Sequence, residues 1–169
     1  NTLQINGAIF ATDYEDKQED VVLPGTDGAV TLTLVQNAAG ATMNGAEIET
    51  IWVPTAGLTL TANVGFLDAE YDNYSVPGPD GNLVDKSGFD LRKAPDLTYS
   101  LGANYEVELA SEMYLVTNVS YRYRDDYAVN ASANGGPKHY SDDPLMQDGY
   151  GLLDASINLE LENWRISLF

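Results

Sequence analysis

Residues 95–109 alternate between apolar and polar side chains, and this alternation restricts the possible folds more than any other feature of the sequence. The apolar positions are Leu97, Tyr99, Leu101, Ala103, Tyr105, Val107 and Leu109. The interleaved positions are Asp96, Thr98, Ser100, Gly102, Asn104, Glu106 and Glu108. Successive side chains of a strand point to opposite faces, whereas a helix would mix the two sets. The stretch is therefore predicted to be one long strand with an apolar and a hydrophilic face.

The length of this strand favours a membrane. Strands of soluble sandwiches usually have about five or six residues. A tilted strand that crosses a bilayer needs about ten, with apolar side chains toward lipid and polar ones toward a hydrated interior. No apolar run approaches the length of a spanning helix, and no basic-then-apolar signal opens the chain.

Further alternating stretches occur along the rest of the chain, at 3–14, 43–53, 58–66, 113–124, 153–161 and 164–168. The first is weakened by Gly7 and by Phe10, which falls among the polar positions. Three connections are long, at 17–41, 72–94 and 125–148, and the first contains a β-branched piece at 30–35 that could form a small hairpin. Three are short turns, at 53–57, 110–112 and 162–163.

Long and short connections alternate strictly along the chain. This order would place all the long connections at one end of the sheet and all the short ones at the other. In an up-and-down meander, consecutive turns lie at opposite ends, so all the long loops would emerge together. Outer-membrane barrels show this asymmetry, with short periplasmic turns and long extracellular loops. The prediction is an all-β fold: an antiparallel up-and-down meander of about seven strands, part of a transmembrane β-barrel.

Aromatic residues are concentrated at both predicted interfaces. Two tryptophans, Trp52 and Trp164, lie near the short turns. The tyrosines near the long loops are Tyr71, Tyr74, Tyr121, Tyr123, Tyr127 and Tyr150. Two aromatic girdles are typical of membrane barrels.

Charge and composition exclude several classes of function. The formal net charge is −18, from 8 basic and 26 acidic residues. A nucleic-acid surface needs clustered Lys and Arg, so no nucleic-acid partner is predicted. Most acidic residues fall in the predicted loops and their rims, where they would solvate the loops or attract divalent or other cations. The chain has no cysteine, which excludes disulfides and thiolate metal sites.

Several motifs together resemble the C-terminal half of the barrel of TonB-dependent outer-membrane receptors. They are Asn44-Gly45-Ala46-Glu47-Ile48-Glu49, Trp52-Val53-Pro54, Gly57-Leu58-Thr59-Leu60, Gly65-Phe66-Leu67-Asp68-Ala69-Glu70-Tyr71, Ala94-Pro95, Asp148-Gly149-Tyr150 and Trp164 to Phe169. The resemblance implies a barrel of about 22 strands filled by a plug domain. It also implies import of ferric siderophores, cobalamin or sugars with energy from TonB. On this analogy, 1–169 is a partial outer-membrane barrel domain, without a plug domain and without the closing strand.

No catalytic constellation is found, so the chain is predicted not to be an enzyme and to need no cofactor. His139 is the only histidine, and no nucleophile elbow accompanies it. Arg122 and Arg124 are predicted to face the lumen near its rim, where they could form salt bridges across the inner wall or contact substrate. The substrate-contact candidates are Tyr74, Tyr127, His139, Tyr140 and Arg124. The acid pairs at 125–126 and 142–143 could help bind calcium, although no Asp-x-Asp-x-Asp-Gly loop is present.

The preferred interpretation is a barrel segment of a nutrient importer in the bacterial outer membrane. Its expected partners are the remaining barrel strands, a plug domain, TonB acting through that plug, outer-membrane lipid and a small-molecule nutrient. The alternative is an extracellular all-β binding or adhesive module whose apolar faces pack together in a sandwich. A smaller complete barrel is a third interpretation, disfavoured because about seven strands is odd and bacterial single-chain barrels are even. Dependence on detergent would separate the first interpretation from the second.

Overall fold

One antiparallel sheet contains most of the chain. The computed structural model describes residues 2–23, 32–77, 82–129 and 146–169. Its strands are β1 (Thr2–Leu23), β2 (Leu32–Thr55), β3 (Leu58–Pro77), β4 (Leu83–Asp85), β5 (Leu97–Ala110), β6 (Met113–Arg124), β7 (Tyr127–Ala128), β8 (Met146–Gln147), β9 (Tyr150–Leu161) and β10 (Trp164–Leu168). Within these residues, no helix is long and apolar enough to cross a membrane.

The strand order of the main sheet confirms the predicted meander. The order is β1-β2-β3-β5-β6-β9-β10, all neighbours being antiparallel, with the short β4 paired to the end of β3. β7 and β8 form a separate two-stranded ladder. Turns at 56–57, 111–112 and 162–163 lie at one end, called the turn end here. The long connections leave at the opposite, loop end. Among the described strands, β1 and β10 end the order and no ladder joins them.

The register gathers the apolar positions onto one face of the sheet. Leu101 lies opposite Ala62 of β3 and Tyr121 of β6. The next residue, Ser100, lies opposite Asn63 and Arg122 on the hydrophilic face. Across an unbroken ladder, paired residues share a face, so the alternation read from one strand extends across its neighbours.

The apolar face has no covering layer in the described part of the chain. The exposed fraction is 50% for Leu101, 47% for Val119 and 49% for Ile157. A sandwich would bury such side chains under a second sheet about 10 Å away. The described residues form no second sheet of that kind, so the sandwich is not favoured. An uncovered apolar face of this kind suits contact with lipid.

The turn end is built from tight turns that require special backbone geometry. Gly57 has φ of +79°, and its carbonyl oxygen accepts a hydrogen bond of 2.9 Å from the Glu106 amide. A Cβ atom added to Gly57 would lie 2.1 Å from the Glu106 carbonyl oxygen. Glycine is therefore required at this turn both for its positive φ and for the close approach of β5.

The interpretation of 17–41 as a loop was wrong in extent, because β1 and β2 continue as a paired hairpin to Leu23 opposite Leu32. The ladder shifts register on either side of Lys17, and Asp16 has φ of +56°. These irregularities interrupt the alternation and hid the continuation. The β-branched piece at 30–35 is not a hairpin of its own, because its described residues, 32–35, pair with 20–23 of β1.

The other two long connections also contain regular structure. β3 continues to Pro77 and pairs with β4, within the predicted 72–94 connection. The segment that follows runs beside β3: the Tyr71 amide donates to the Phe89 carbonyl at 2.9 Å, and the Leu91 amide to the Ala69 carbonyl at 2.8 Å. Within 125–148, β7 pairs with β8.

The hydrophobic core lies at the loop end, not in the middle of the wall. Its buried members are Ala41, Ala69, Tyr71, Tyr74 and Leu91, with Met43, Leu67, Val76, Phe89 and Ala94 packed against them. They come from β2, β3 and the segment between β4 and β5. The loop end is thus packed by the chain itself, whereas side chains of the wall are half-buried or exposed.

Candidate binding site at the loop end

The hydrophilic face of the wall forms a trough with opposite charges on its two sides. The trough encloses about 480 Å³ and is lined by Glu47, Ile48, Glu49, Asn63, Val64, Gly65, Thr98, Tyr99, Ser100, Arg122, Tyr123, Arg124, Tyr150 and Leu152. β2 contributes Glu47 and Glu49, and β6 contributes Arg122 and Arg124. Three strand spacings of about 4.8 Å separate these strands, so about 14 Å lies between the acidic and basic sides.

The two arginines of this trough have different surroundings. Arg122 Nη2 donates to Asp154 Oδ2 of the neighbouring β9 at 2.8 Å, which confirms salt bridging along the inner wall for this residue. The guanidinium carbon of Arg124 lies 5.8 Å from the centroid of the Tyr127 ring. An exposed cation–π contact of this kind contributes about 0.5–1 kcal/mol, little enough for a ligand to compete with it.

A second group of polar side chains lies in the core of the loop end, and we call it the Glu19 cluster: Lys17, Glu19, Tyr71, Tyr74 and Arg92. Glu19 is fully buried, with 0% of its surface exposed. Its Oε1 pairs with Lys17 Nζ and accepts a hydrogen bond of 2.7 Å from the Tyr71 hydroxyl. Its Oε2 lies 3.2 Å from Arg92 Nε. Two cations and a phenol therefore compensate one buried carboxylate.

The same cluster joins segments that are far apart in the chain. Lys17 and Glu19 belong to the hairpin extension of β1, the two tyrosines to β3, and Arg92 to the segment before β5. The Tyr71 and Tyr74 rings lie 4.6 Å apart between centroids, tilted by 31°. Arg92 Nη1 also lies 3.3 Å from Asp20 Oδ2. The cluster therefore holds the β1–β2 hairpin extension against β3 and its neighbour.

Both tyrosines of the cluster remain protonated donors at neutral pH. Burial raises the pKa of Tyr71 well above its usual value, and the hydrogen bond to Glu19 raises it further. Burial, followed by the Glu19 charge, raises the pKa of Tyr74 to about 12, with Arg92 opposing the shift. The Tyr74 hydroxyl is buried and has no hydrogen-bond partner in the described part of the chain. The cluster thus contains a spare donor.

The structure places three of the five predicted contact residues. Tyr74 is 2% exposed, inside the Glu19 cluster. Arg124 and Tyr127 lie together in a cation–π contact. The residue after Tyr127, Ala128, accepts a hydrogen bond of 2.8 Å from the amide of Lys93, which follows Arg92 of the cluster. His139 and Tyr140 lie outside the described residues. Their role as substrate contacts, like that of the other three, stays a prediction.

Sequence reasoning missed Lys17, Glu19 and Arg92. All three lie in stretches that the sequence predicts to be loops, where charged residues are usually solvated. Nothing local separates Glu19 from the exposed Glu15 four residues earlier. Its partner Arg92 is 73 positions away in the sequence, so only the fold reveals the pair. No group of three or more His, Asp or Glu side chains suited to a metal ion occurs in the described ranges.

The sequence matches the family described as TonB-dependent receptor-like β-barrel over residues 1–169. Members of that family are transport receptors of the bacterial outer membrane, not enzymes. Among solved structures, the ferric yersiniabactin uptake receptor FyuA from Yersinia pestis is 18% identical, with a TM-score of 0.68 over 98% of this chain and 21% of that one. The siderophore receptor PiuA from Acinetobacter baumannii is 16% identical, with a TM-score of 0.64 over 98% and 21%.

A third similar structure is the FrpB iron transporter from Neisseria meningitidis, 16% identical with a TM-score of 0.59, covering 98% of this chain and 24% of that one. The chain therefore spans between about a fifth and a quarter of these structures. At these identities the likeness establishes the fold alone, and that fold is the partial barrel built above.

Proposed function

Because the chain belongs to the TonB-dependent receptor β-barrel family, we propose that it is part of the wall of a receptor that imports a scarce nutrient across the bacterial outer membrane. The observation that carries this proposal is the two-faced sheet, apolar and uncovered on one side and hydrophilic on the other. In the proposed setting lipid covers the first face, and water and a plug domain occupy the second.

The proposed nutrient is a ferric siderophore, with cobalamin or a carbohydrate as the other classes considered. The similar receptors named above are described as handling iron or ferric siderophores, and this supports the first class. Tyr74, Tyr127, Arg124, His139 and Tyr140 are the proposed contacts. Arg124 supplies an exposed cation beside an aromatic ring, a combination that suits a ligand with negative charge and flat unsaturated groups.

The proposed partners follow from the two faces of the wall. Residues 1–169 form one part of a barrel domain, whose other strands would complete the sheet on both sides, since spanning sheets must close. The trough, with Glu47 and Glu49 on one side and Arg122 and Arg124 on the other, would face a hydrated plug. TonB would act through that plug.

Uptake of radiolabelled nutrient by intact cells tests this function. Cells would be offered a panel of ferric siderophores, with cobalamin and a carbohydrate for comparison, in the presence and absence of the complete receptor that contains this chain. We expect the receptor to be required for uptake of one ferric siderophore. If every siderophore of the panel were taken up at the same rate with and without the receptor, the proposal would be contradicted.

Variants of the complete receptor test the proposed contacts. Replacing Arg124 by Gln and Tyr127 by Ala should each raise the half-saturating concentration several-fold, because charge and ring contacts to the ligand are lost. The matched control is Arg165→Gln, which breaks an exposed pair of 2.7 Å with Glu160 at the turn end. An equal effect of all three substitutions would exclude a contact role for Arg124 and Tyr127.

A further inference from the structure

The donor groups of the Glu19 cluster are only partly engaged by its one carboxylate. Lys17, Arg92 and the Tyr71 hydroxyl are directed to Glu19, and Arg92 also reaches Asp20. The buried Tyr74 hydroxyl has no hydrogen-bond partner among the described residues, and Glu19 Oε2 accepts no hydrogen bond of good geometry there. A lysine offers three donors, an arginine five and each phenol one. This is a donor set for an anion with more oxygen atoms than Glu19 has.

The cations of this donor set are reachable from solvent, whereas the carboxylate is not. The side chain of Lys17 is 20% exposed and that of Arg92 is 34% exposed, against 0% for Glu19. An incoming anion would therefore meet the two cations first. It would reach the tyrosines only after Glu19 had moved away.

We propose that Lys17, Arg92, Tyr71 and Tyr74 form an anion-binding cradle that Glu19 occupies as an internal ligand, and that a multivalent oxyanion, such as a ligand bearing several carboxylates, displaces Glu19. This inference rests on the proposed function and names the chemical class of ligand for the same loop-end region. The ligand binds through charge-assisted hydrogen bonds from the four side chains. The Tyr74 hydroxyl gains the acceptor that it lacks in the self-occupied state.

Displacement of Glu19 has a structural consequence. Glu19 lies on the extension of β1, and its pairs with Tyr71 and Arg92 join that extension to β3 and to the segment before β5. Once those pairs are exchanged for the ligand, the hairpin extension of β1 and β2 loses two of the contacts that hold it to its neighbours, and its release becomes easier, although the Arg92–Asp20 pair and the Ala39–Tyr74 ladder contact remain. Ligand binding and hairpin release are then one coupled equilibrium, and each favours the other.

Self-occupancy also lowers the apparent affinity for the external anion. For a site that is free only part of the time, the apparent Kd equals the Kd of the free site divided by the fraction of time for which the site is free. Neutralising Glu19 weakens the internal ligand and leaves the four donor side chains of the cradle in place. The chain should then bind an external oxyanion more tightly than before, which is the reverse of what loss of a structural contact would produce.

Citrate binding to the complete receptor in detergent, measured by titration calorimetry, tests this proposal. We expect Glu19→Gln to bind citrate at least ten-fold more tightly than the unmodified receptor. The double variant Glu19→Gln with Arg92→Gln should lose this gain, because a cation of the cradle is gone. Glu15→Gln, which neutralises an exposed carboxylate on the same strand, is the matched control and should leave the affinity unchanged.

The proposal is overturned if Glu19→Gln binds citrate no more tightly than the unmodified receptor. It is also overturned if Glu15→Gln or the double variant binds citrate as tightly as Glu19→Gln, because this would indicate a general effect of charge. If Glu19→Gln fails to fold, Tyr74→Phe in a receptor that keeps Glu19 provides the test. It removes the spare hydroxyl alone and should weaken citrate binding several-fold. An unchanged affinity in Tyr74→Phe would likewise overturn the proposal.

Hydrogen exchange separates this inference from the proposed function. Saturating citrate should speed amide exchange in residues 17–22 of β1 and leave the wall strands unchanged. Slower exchange there would contradict displacement of Glu19. Nutrient uptake is scored separately: a receptor that imports its nutrient but shows neither effect retains the proposed function and loses the cradle, and the converse result retains the cradle alone.

Discussion

The wall and the loop end are held together by different interactions, although they are parts of the same strands. In the wall, β5 pairs with β6 without a register shift from Thr98 to Glu108, and β6 pairs with β9 over its whole length. Apolar side chains such as Leu101 are half exposed there. At the loop end, β3 and its neighbours bury tyrosines and a carboxylate in a core of their own. The wall therefore depends on its surroundings to cover its apolar face, whereas the loop end is stabilised by contacts within the chain.

This contrast indicates where each region tolerates change. A wall residue is constrained mainly by the face to which it points, so many side chains of the same polarity would serve. A residue of the Glu19 cluster is constrained by particular partners, because a buried charge that loses its counter-charge is strongly destabilising. Substitutions that probe face and substitutions that probe partners should therefore separate the two regions.

The largest effect is expected from Glu19→Ala, which probes the partners at the loop end. It leaves Lys17 and Arg92 without their shared carboxylate and opens a space beside Tyr71. Breaking a buried ion pair by removal of one partner costs about 3–5 kcal/mol. We expect the lower end of that range, because Lys17 and Arg92 are partly exposed and Arg92 keeps its pair with Asp20. Urea unfolding of the complete receptor in lipid vesicles measures this, with the exposed Glu15→Ala as control. Equal stability of the two variants would mean that the Glu19 cluster does not stabilise the loop end.

The next largest effect is expected from Leu101→Arg, which tests the assignment of the apolar face of the wall. An arginine on the lipid side near the bilayer midplane should cost about 2–4 kcal/mol. Ser100→Arg, one residue away on the hydrophilic face, should cost far less, because the charge would point into water. The same unfolding assay compares them. Similar costs at both positions would contradict the assignment of the two faces.

A smaller effect is expected at the turn end from Gly57→Ala. Gly57 and Gly88 have similar φ values, +79° and +76°, so alanine bears about 1–2 kcal/mol of backbone strain at either. Only at Gly57 would the new Cβ atom meet the Glu106 carbonyl oxygen, whereas nothing lies within 4 Å at Gly88. Gly57→Ala should therefore destabilise the receptor more than Gly88→Ala does. Equal destabilisation by the two substitutions would show that the close approach of β5 is relieved easily.

The smallest effect is a pH dependence confined to the loop end. The pKa of Tyr74 is raised to about 12 from an ordinary value near 10, so the folded state keeps a proton that the unfolded state loses. Stability from this group is complete below about pH 10 and falls as the pH rises toward 12. Hydrogen exchange of residues 69–76 should accelerate over this range in the unmodified receptor and less in Tyr74→Phe. Identical acceleration in both would exclude Tyr74 as the cause.

The sequence predicts the wall well because the period of two is a local property. Leu101 and Ser100 are assigned to opposite faces by their own stretch, and the ladder carries that assignment across neighbouring strands. Phe10 departs from the pattern, and its ring explains why: a Cβ atom on Gly45 of the paired strand would lie 2.3 Å from it. The phenyl ring lies over a glycine and covers the backbone there.

The loop end was not predicted because its order depends on distant residues. The register shifts around Lys17 break the alternation of β1, so the sequence predicts a loop where the paired extension lies. Glu19 and Arg92 then looked like ordinary solvated charges in a chain with a net charge of −18. Their pairing depends on how β1, β3 and the segment before β5 are brought together, and no local pattern encodes that.

Cysteine accessibility along two adjacent strands tests the two-faced wall most directly. The chain has no cysteine of its own, so a single cysteine placed at Ser100, Leu101, Asn104, Val119 or Ser120 is the only thiol within residues 1–169 of the complete receptor in the outer membrane. With a water-soluble, membrane-impermeant thiol reagent, we expect labelling at Ser100, Asn104 and Ser120 and protection at Leu101 and Val119. Equal labelling at all five positions would contradict the account that one face of this sheet meets lipid and the other meets water.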